Sequence, residues 1–193
     1  ETHNRSIYNS LRTEQDYDLR FDSKRQAKKQ KLLVEEGLLA GIGELSEDIA
    51  DSILEMQKLE ADQVRVMTLI PQKGTPMIHF KQIDPMKELL IIALMRLVLP
   101  DRLIPASLDV GGHAELNQRF AAGANVVTSL IPPGQGLAGV AQSSLAIEDG
   151  KRTVAGIENV LVENNLESAT NEQYKSWVDQ RIKKAQIPNS KIA

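Results

Sequence analysis

The chain has 193 residues, of which 41% are apolar and 25% are charged, and its net charge is -3. This composition is typical of a globular domain, and the weak negative charge argues against a nucleic-acid partner or an anionic membrane surface. The chain contains no cysteine, so its own residues supply no disulfide, thiolate nucleophile or cysteine-bound cluster. Because no apolar run approaches the roughly 20 residues of a membrane span and the first residues do not resemble a signal peptide, we expect a cytoplasmic protein.

Short apolar runs alternate with helical patterns, which predicts an α/β protein with a parallel sheet. The predicted strands, which share a near-continuous apolar character, lie at 38–43, 64–70, 103–108 and 125–130. Pro105 lies inside the third run and weakens that assignment, because a proline removes a hydrogen-bond donor from a strand.

The segments between the strands have the period of amphipathic helices. The predicted helices are 21–36, 46–59, one that opens at Asp84–Pro85, 112–122, 151–164 and 171–184. Asp22 or Ser23 is the predicted N-cap of the first and Ser46 that of the second, while Gly123 is expected to end the fourth.

Four strand–helix units fit two architectures: half of an eight-stranded β/α barrel, or a small doubly wound open sheet. The pattern by itself leaves both open. In both architectures ligands bind at the carboxyl ends of the parallel strands, which directs attention to polar residues at those ends.

Three polar side chains, Arg65, Ser107 and Asp109, lie on or just beyond the predicted strands. Ser107 and Asp109 are two residues apart, so their side chains point the same way. A guanidinium binds a carboxylate through two hydrogen bonds, and a hydroxyl with a carboxylate receives an ammonium group. The set therefore predicts an amino-acid site, and the alternative is an internal Arg65–Asp109 salt bridge without a ligand.

A second candidate site is the glycine-rich stretch 37–44, which contains the first predicted strand and its carboxyl end. Glycines there permit the close approach of a ligand, and the next helix offers free amide groups to an anion. The simpler interpretation is a tight turn between a strand and a helix.

The basic run and the histidines do not indicate a catalytic or metal-binding site. The basic run Lys24, Arg25, Lys28, Lys29 and Lys31 is predicted to be a solvated helix face. The three histidines are too scattered along the chain for a metal site. We therefore assign neither a catalytic side chain nor a metal ligand to this chain.

Several segments, in order, resemble radical S-adenosylmethionine enzymes. The stretch 37–44 reads Gly-x-Leu-x-Gly-x-x-Glu and is similar to the Gly-x-Ile-x-Gly-x-x-Glu motif of that superfamily. The segment 65–76 resembles the corresponding barrel segment of the biotin synthase group, and 96–109 and 122–133 look most like the methylornithine synthases of pyrrolysine biosynthesis. The resemblance covers nearly the whole chain.

This resemblance implies the C-terminal half of a (β/α)8 barrel, with 150–193 as terminal helices, and a radical reaction. In that family a 4Fe–4S cluster reductively cleaves S-adenosylmethionine, and the 5′-deoxyadenosyl radical abstracts hydrogen from L-lysine. The lysyl radical fragments, recombines and is quenched as 3-methylornithine. The cofactor carries the chemistry and the protein positions the reactants, with an electron donor and the other half of the barrel as implied partners.

The resemblance also implies roles for individual residues. By position, Arg65, Ser107 and Asp109 match the substrate clamp of the family. The implied contacts to S-adenosylmethionine are Arg20 at its carboxylate, Glu1 near its ribose, and Leu39 and Gly41 beside its adenine.

One departure from the family is large. The Cys-x-x-x-Cys-x-x-Cys loop that binds the cluster belongs to the first half of the barrel, so we expect this chain to be inactive by itself. Its first strand would then expose an unpaired edge. Two alternatives stay open: a biotin synthase-like or hydrogenase-maturation relative, and a non-catalytic α/β module that binds a small anion. Ser107 and Asp109 favour an amino-acid substrate, and Pro105 stands where a biotin synthase would have an arginine.

Overall fold

A computed structural model describes residues 2–109, 111–132 and 152–184. Its elements, in chain order, are α1 (Arg5–Leu11), α2 (Tyr17–Lys29), β1 (Glu35–Ala40), α3 (Ser46–Lys58), β2 (Gln63–Thr68), α4 (Pro85–Val98), β3 (Pro105–Ser107), a 3₁₀ turn (Gly112–Glu115), α5 (Leu116–Ala122), β4 (Val126–Thr128), α6 (Val154–Glu163) and α7 (Asn171–Lys184). Within these residues no helix combines the length and the apolar character needed to cross a membrane.

The strands run parallel and neighbour one another in chain order. β1 pairs with β2, with Gly37 opposite Arg65, and β3 pairs with β4 in the same sense. A parallel bridge between Gln63 and Leu103 joins the two pairs. The predicted α/β class with parallel strands is therefore confirmed.

The two faces of the strands have different roles. Alternate residues pack against α3, α4, α5 and α6 in one apolar core, to which the strands and the residues beside them contribute Leu38, Ala40, Val64, Val66, Ile104, Ala106 and Leu108. Side chains alternate along a strand, so the intervening residues project from the opposite face. That face carries Gly37, Leu39, Arg65, Met67, Ser107 and, just beyond β3, Asp109.

β1 is displaced toward the N-terminus, and β2, β3 and β4 are shorter than predicted. β1 begins three residues early, at Glu35, and ends at Ala40 because Gly41 has a φ of 94°. β3 begins at Pro105, a position that suits proline because the first strand residue can lack a donor. β4 ends at Thr128, since the next residue, Ser129, has a φ of 67°.

The helix predicted over 21–36 is wrong at both ends, because α2 occupies an earlier stretch. Its N-cap is Asp16 rather than Asp22 or Ser23, and the Asp16 carboxylate accepts a backbone N–H of the first turn at 2.9 Å. The chain leaves the helix after α2 because Lys31 takes a left-handed φ of 62°. The last residues of the predicted helix consequently form the start of β1.

The remaining helix boundaries agree more closely. Ser46 is the first helical residue of α3 rather than its N-cap, which is Leu45, and the Leu45 N–H donates to the Asp48 carboxylate at 2.8 Å. Asp84 caps α4 as predicted. Gly123 ends α5 with a φ of 110°, also as predicted.

The basic run on α2 is not entirely a solvated face, so that prediction is wrong for two of its members. Lys24 donates to the Glu36 carboxylate at 2.6 Å, and Lys28 donates to the Asp62 carboxylate at 2.8 Å. Both carboxyl side chains are at most 2% exposed. A carboxylate buried at the start of a strand needs a cationic partner, and α2 supplies one to each.

Asp62 joins the C-terminal helix to the amino ends of the strands. It accepts hydrogen bonds from Lys28, from the Val34 N–H at 2.8 Å and from Arg181 Nε at 2.7 Å. Burial by itself raises the pKa of Asp62, but these bonds outweigh burial and hold that pKa below its ordinary value. Trp177 adds a bond to the Asp101 carbonyl at 3.0 Å, so α7 is fixed below β2 and β3.

Removing the Asp62 carboxylate should destabilise the protein strongly. Asp62→Ala leaves the buried Arg181 and Lys28 without their shared anion, which we expect to lower the free energy of unfolding by about 3–5 kcal/mol. Asp22→Ala is the matched control, since Asp22 pairs with Arg25 at 2.8 Å on the surface, and about 0–1 kcal/mol is expected there. Denaturant titration measures both values, and equal effects would contradict this account.

His3 makes stability depend on pH. It is buried edge-on against the Phe21 ring, with ring centroids 5.3 Å apart, and burial lowers its pKa from 6.5 to about 4. The unfolded chain therefore takes up a proton between pH 6.5 and 4 that the folded chain does not, and stability falls over this window by on the order of 3 kcal/mol.

The His3→Gln variant should flatten this part of the pH profile of the unfolding free energy. His79 is exposed, so His79→Gln should leave the slope unchanged. A His3→Gln variant with the slope of the parent protein would refute the assignment.

Candidate functional site

Polar side chains meet at the carboxyl ends of β3 and β4. Ser129 donates its hydroxyl hydrogen to Asp109 Oδ2 at 2.5 Å, and Ser107 Oγ lies 3.4 Å from the same oxygen. The two hydroxyl oxygens are 3.2 Å apart, and the Asp109 N–H donates to Ser107 Oγ at 3.2 Å. Ser107 and Asp109 thus lie together, as their spacing predicted, and Ser129 joins them.

Arg152 contacts the same carboxylate from the other side. Its Nη2 donates to Asp109 Oδ1 at 3.1 Å, and its side chain is 2% exposed. The carbonyl of Arg152 accepts the Ile131 N–H at 2.9 Å, which holds the start of α6 beside the end of β4. The Asp109 side chain is 33% exposed, so a ligand can still reach it.

Arg119 fixes the backbone at the end of β3. It donates to the Ser107 carbonyl at 3.1 Å, to Glu88 of α4 at 2.8 Å and to Glu115 at 2.7 Å. Glycine suits position 111 because its φ of 71° lies in the left-handed region. The backbone at Ser107 is therefore held by residues of two helices, α4 and α5.

Arg65 projects from the same face of the sheet but does not reach this group. Its Nε lies 2.5 Å from a carboxylate oxygen of Glu35, and the two side chains are 26% and 43% exposed. Asp109 pairs instead with Arg152. The alternative prediction, a direct Arg65–Asp109 bridge, is therefore wrong.

The glycine-rich stretch forms a tight turn closed by Glu44. The Glu44 carboxylate accepts the N–H groups of Gly41 at 3.0 Å and Ile42 at 2.9 Å, and Lys87 donates to it at 2.9 Å. Burial by itself raises the pKa of Glu44. The hydrogen bonds from Lys87 and the backbone amides lower this pKa by a larger amount, so the net shift is downward. A Cβ at Gly41 would lie 3.1 Å from Ile83 Cγ2. The simpler interpretation, a tight turn between a strand and a helix, therefore fits, because the Glu44 carboxylate already accepts the N–H groups of Gly41 and Ile42.

A cavity of about 610 Å³ opens beside the carboxyl ends of β1 and β2. Leu39 and Ile42 line it from β1 and the turn that follows, Tyr8 lines it from α1, and residues of the loop after β2 complete it. Its volume lies within the range of small-molecule sites, which are mostly apolar with a few polar groups. A cavity of this volume, with apolar side chains beside polar ones, is large enough for a nucleoside-sized group.

Arg20 lies next to this cavity. It forms an ion pair with the buried Glu36 and donates to the Thr2 carbonyl at 3.5 Å, and its guanidinium is 5.6 Å from the centre of the Tyr8 ring. Thr2 and Tyr8 both line the cavity. A guanidinium has five N–H donors, so donors remain beyond these contacts. Glu1, the other predicted polar contact of the cofactor, lies outside the described residues.

Sequence reasoning missed Ser129 and Arg152. Ser129 stood inside a predicted strand, where nothing marked it as a partner of Asp109. Arg152 is 43 residues from Asp109 along the chain, and no local pattern connects the two. In residues 2–109, 111–132 and 152–184, no group of three histidine, aspartate or glutamate side chains is arranged to hold a metal ion.

Comparison with known proteins gives a consistent result. The chain is 38% identical over 176 residues to 3-methylornithine synthase of Methanosarcina acetivorans, and this match covers 91% of the chain and 50% of the relative. It is 41% identical over 157 residues to the Methanosarcina barkeri protein of the same name, covering 81% of the chain and 45% of that protein. Biotin synthase of Streptomyces coelicolor is 36% identical over 114 residues, which is 59% of the chain and 27% of that enzyme. No protein-family model matches.

The fold agrees with the sequence comparison. The crystal structure of methylornithine synthase (PylB) superposes with a TM-score of 0.84 at 38% identity, and covers 92% of this chain and 52% of that one. The chain thus spans about half the length of the methylornithine synthases it matches. The resemblance read from the sequence is confirmed: the chain is a homologue of the methylornithine synthases and, at greater distance, of the biotin synthases.

Proposed function

We propose that this chain is the substrate- and cofactor-binding half of a radical S-adenosylmethionine mutase that converts L-lysine to 3-methylornithine in pyrrolysine biosynthesis. The observation that carries the proposal is the position of Arg65, Ser107 and Asp109. All three project from the strand face opposite the helices, in a chain that is 38% identical to a methylornithine synthase.

In this proposal the chain, 1–193, forms half of a (β/α)8 barrel. The predicted terminal helices, 150–193, correspond to α6 and α7, and residues 150, 151 and 185–193 of that range lie outside the described residues. Two features support a barrel over an open sheet. The strands neighbour one another in chain order, whereas a doubly wound sheet reverses its order at a switch point. The helices of the core lie on one face, as they do outside a barrel. The other half would pair with the edges of β1 and β4 that have no partner strand among the described residues.

The clamp residues bind the two charged groups of an amino acid. Asp109 and Ser107 receive the ammonium group, while Arg65 binds the carboxylate through two parallel hydrogen bonds. Arg65 must leave Glu35 to do so. Because that pair is partly exposed and such pairs contribute about 0–1 kcal/mol, a substrate carboxylate displaces Glu35 at small cost.

The cavity beside β1 is the proposed site of S-adenosylmethionine, which supplies the hydrogen-abstracting radical when bound. Leu39 and Gly41 would flank the adenine, Arg20 would hold the carboxylate, and Glu1 would lie near the ribose. The chain has no cysteine, so the ligands of the 4Fe–4S cluster belong to the other half of the barrel. An electron donor would reduce the cluster, and this chain would orient the amino acid; we place the enzyme in the cytoplasm as part of the same proposal.

Substitutions in the clamp should weaken substrate binding without unfolding the enzyme. In the full-length enzyme, Asp109→Asn should weaken L-lysine binding by about 2–4 kcal/mol, because it loses a charge-assisted contact to the ammonium. Arg65→Lys should also weaken binding although the charge is kept, since lysine cannot form two parallel bonds. Calorimetric titration with L-lysine, alongside thermal melts, measures these effects.

Arg25→Lys is the matched control for Arg65→Lys, because Arg25 pairs with Asp22 on the exposed face of α2 and should leave affinity unchanged. A sharp fall in melting temperature for Asp109→Asn with unchanged affinity would show that the clamp assignment is wrong. Binding of dethiobiotin in place of L-lysine would favour a biotin synthase-like function instead.

The cluster should depend on the other half of the barrel. After anaerobic reconstitution with iron and sulfide, the chain alone should acquire no cluster absorbance, because it offers no thiolate. Co-expression with a half barrel that carries the cysteine loop should restore both the absorbance and S-adenosylmethionine cleavage. Stoichiometric iron and sulfide on the isolated chain would contradict the proposal.

A further inference from the structure

The Asp109 carboxylate is held at both of its oxygens by residues outside the clamp. Ser129 donates to Oδ2 across 2.5 Å, and Arg152 donates to Oδ1 across 3.1 Å. The two partners are 20 and 43 residues away along the chain, and both follow β4. The end of β3 is thereby tied to the end of β4 and to the start of α6.

We propose that Ser129 and Arg152 are positioning residues that orient Asp109 toward the ammonium group of an amino-acid substrate. The inference rests on the proposed function, in which Asp109 receives that ammonium. It goes further by assigning the oxygen that does so and the direction of the neighbouring hydroxyl hydrogens.

The hydroxyl groups form a ring of hydrogen bonds with a defined direction. A serine hydroxyl has one hydrogen to donate, and Ser129 uses its own on Asp109 Oδ2 at 2.5 Å. Ser107 can then give its hydrogen to Ser129 Oγ, 3.2 Å away, or to Oδ2, 3.4 Å away. It also accepts the Asp109 N–H at 3.2 Å. With its hydrogen placed in this way, Ser107 meets a ligand with its remaining lone pair, which suits an ammonium donor.

The backbone of Ser129 supports a specific role for its side chain. Its φ of 67° lies in the left-handed region, which is uncommon for residues other than glycine and costs free energy. This conformation ends β4 and accompanies the close contact between the hydroxyl and Asp109. Such strain is concentrated at ligand sites, where the surrounding structure maintains it.

Arg152 leaves one face of the carboxylate open. Its side chain is 2% exposed, while that of Asp109 is 33% exposed, so the guanidinium occupies the buried side of the pair. Each carboxylate oxygen offers about two acceptor sites. Oδ2 faces two hydroxyl groups and Oδ1 holds one bond from Arg152. Among the contacts of the described residues, the acceptor site open to an ammonium is therefore on Oδ1. The Arg152–Asp109 pair has no net charge. The position of its open acceptor site therefore contributes more to the binding of an ammonium group than its charge does.

The test separates the hydroxyl of Ser129 from its backbone. Ser129→Ala and Ser129→Gly both remove the hydroxyl, but only glycine relieves the left-handed strain. In the full-length enzyme both variants should raise KM and the calorimetric Kd for L-lysine roughly ten-fold, with a smaller change in kcat. The melting temperature of the glycine variant should lie above that of the alanine variant. Ser23→Ala, which removes an exposed hydroxyl on α2, should match the parent enzyme.

Arg152→Lys tests the second contact. It keeps the charge but replaces a planar donor with a flexible ammonium, so KM for L-lysine should rise as it does for the Ser129 variants. Cofactor cleavage in the absence of L-lysine should stay at the parent level in all three variants, because none of these side chains lines the cavity beside β1.

Each result decides the question. Equal losses of affinity in Ser129→Ala and Ser129→Gly, despite different melting temperatures, support the proposal. Parent-like affinity in both variants, or affinity that follows melting temperature, overturns it. If the parent enzyme binds no L-lysine, the proposed function itself fails, and this inference fails with it. If the parent binds L-lysine and both Ser129 variants bind it equally well, the inference fails alone.

Discussion

The alternation of side chains along parallel strands is the constraint on which the rest of the structure depends. Residues such as Leu38, Val66 and Ala106 face the helices and form the core, so their neighbours must face the other way. Arg65 and Ser107 are such neighbours. A one-residue change of register would place the Arg65 guanidinium in the apolar core and turn Ser107 away from its partners. The packing of the helices therefore also fixes the position of these polar side chains.

Charged residues lie at both ends of the strands, but their surroundings differ. At the amino ends, Asp62 is 2% exposed and has three strong donors, which leaves it little capacity for a ligand. At the carboxyl ends, Asp109 is 33% exposed and keeps an acceptor site open. Exposure and unfilled acceptor capacity, more than charge, distinguish the group that stabilises the fold from the group suited to bind a substrate.

Local pattern could predict what local structure determines. The two-residue spacing predicted that Ser107 and Asp109 lie together, and Asp84 followed by proline predicted the start of α4. The local sequence pattern could not predict that Glu35 and Glu36 begin a strand, because the buried Glu36 carboxylate is stable there only when Arg20 and Lys24 pair with it. Arg152 was beyond prediction for the same reason, since folding brings it to Asp109 across 43 residues. The curvature of the sheet and the roles of the cofactor contacts stay predictions.

The position of the cavity explains why such a chain would need a partner half. Leu39 and Ile42 line it at the end of β1, and within the described residues β1 has a strand on one side only. The residues of the proposed amino-acid clamp lie on β2 and at the end of β3, away from that edge. In the proposed barrel, S-adenosylmethionine would therefore lie across the seam between the halves, between a cluster bound by one half and an amino acid bound by the other. In such a barrel the proposed clamp would form from this chain's own contacts, whereas the radical would arise only when the two halves meet.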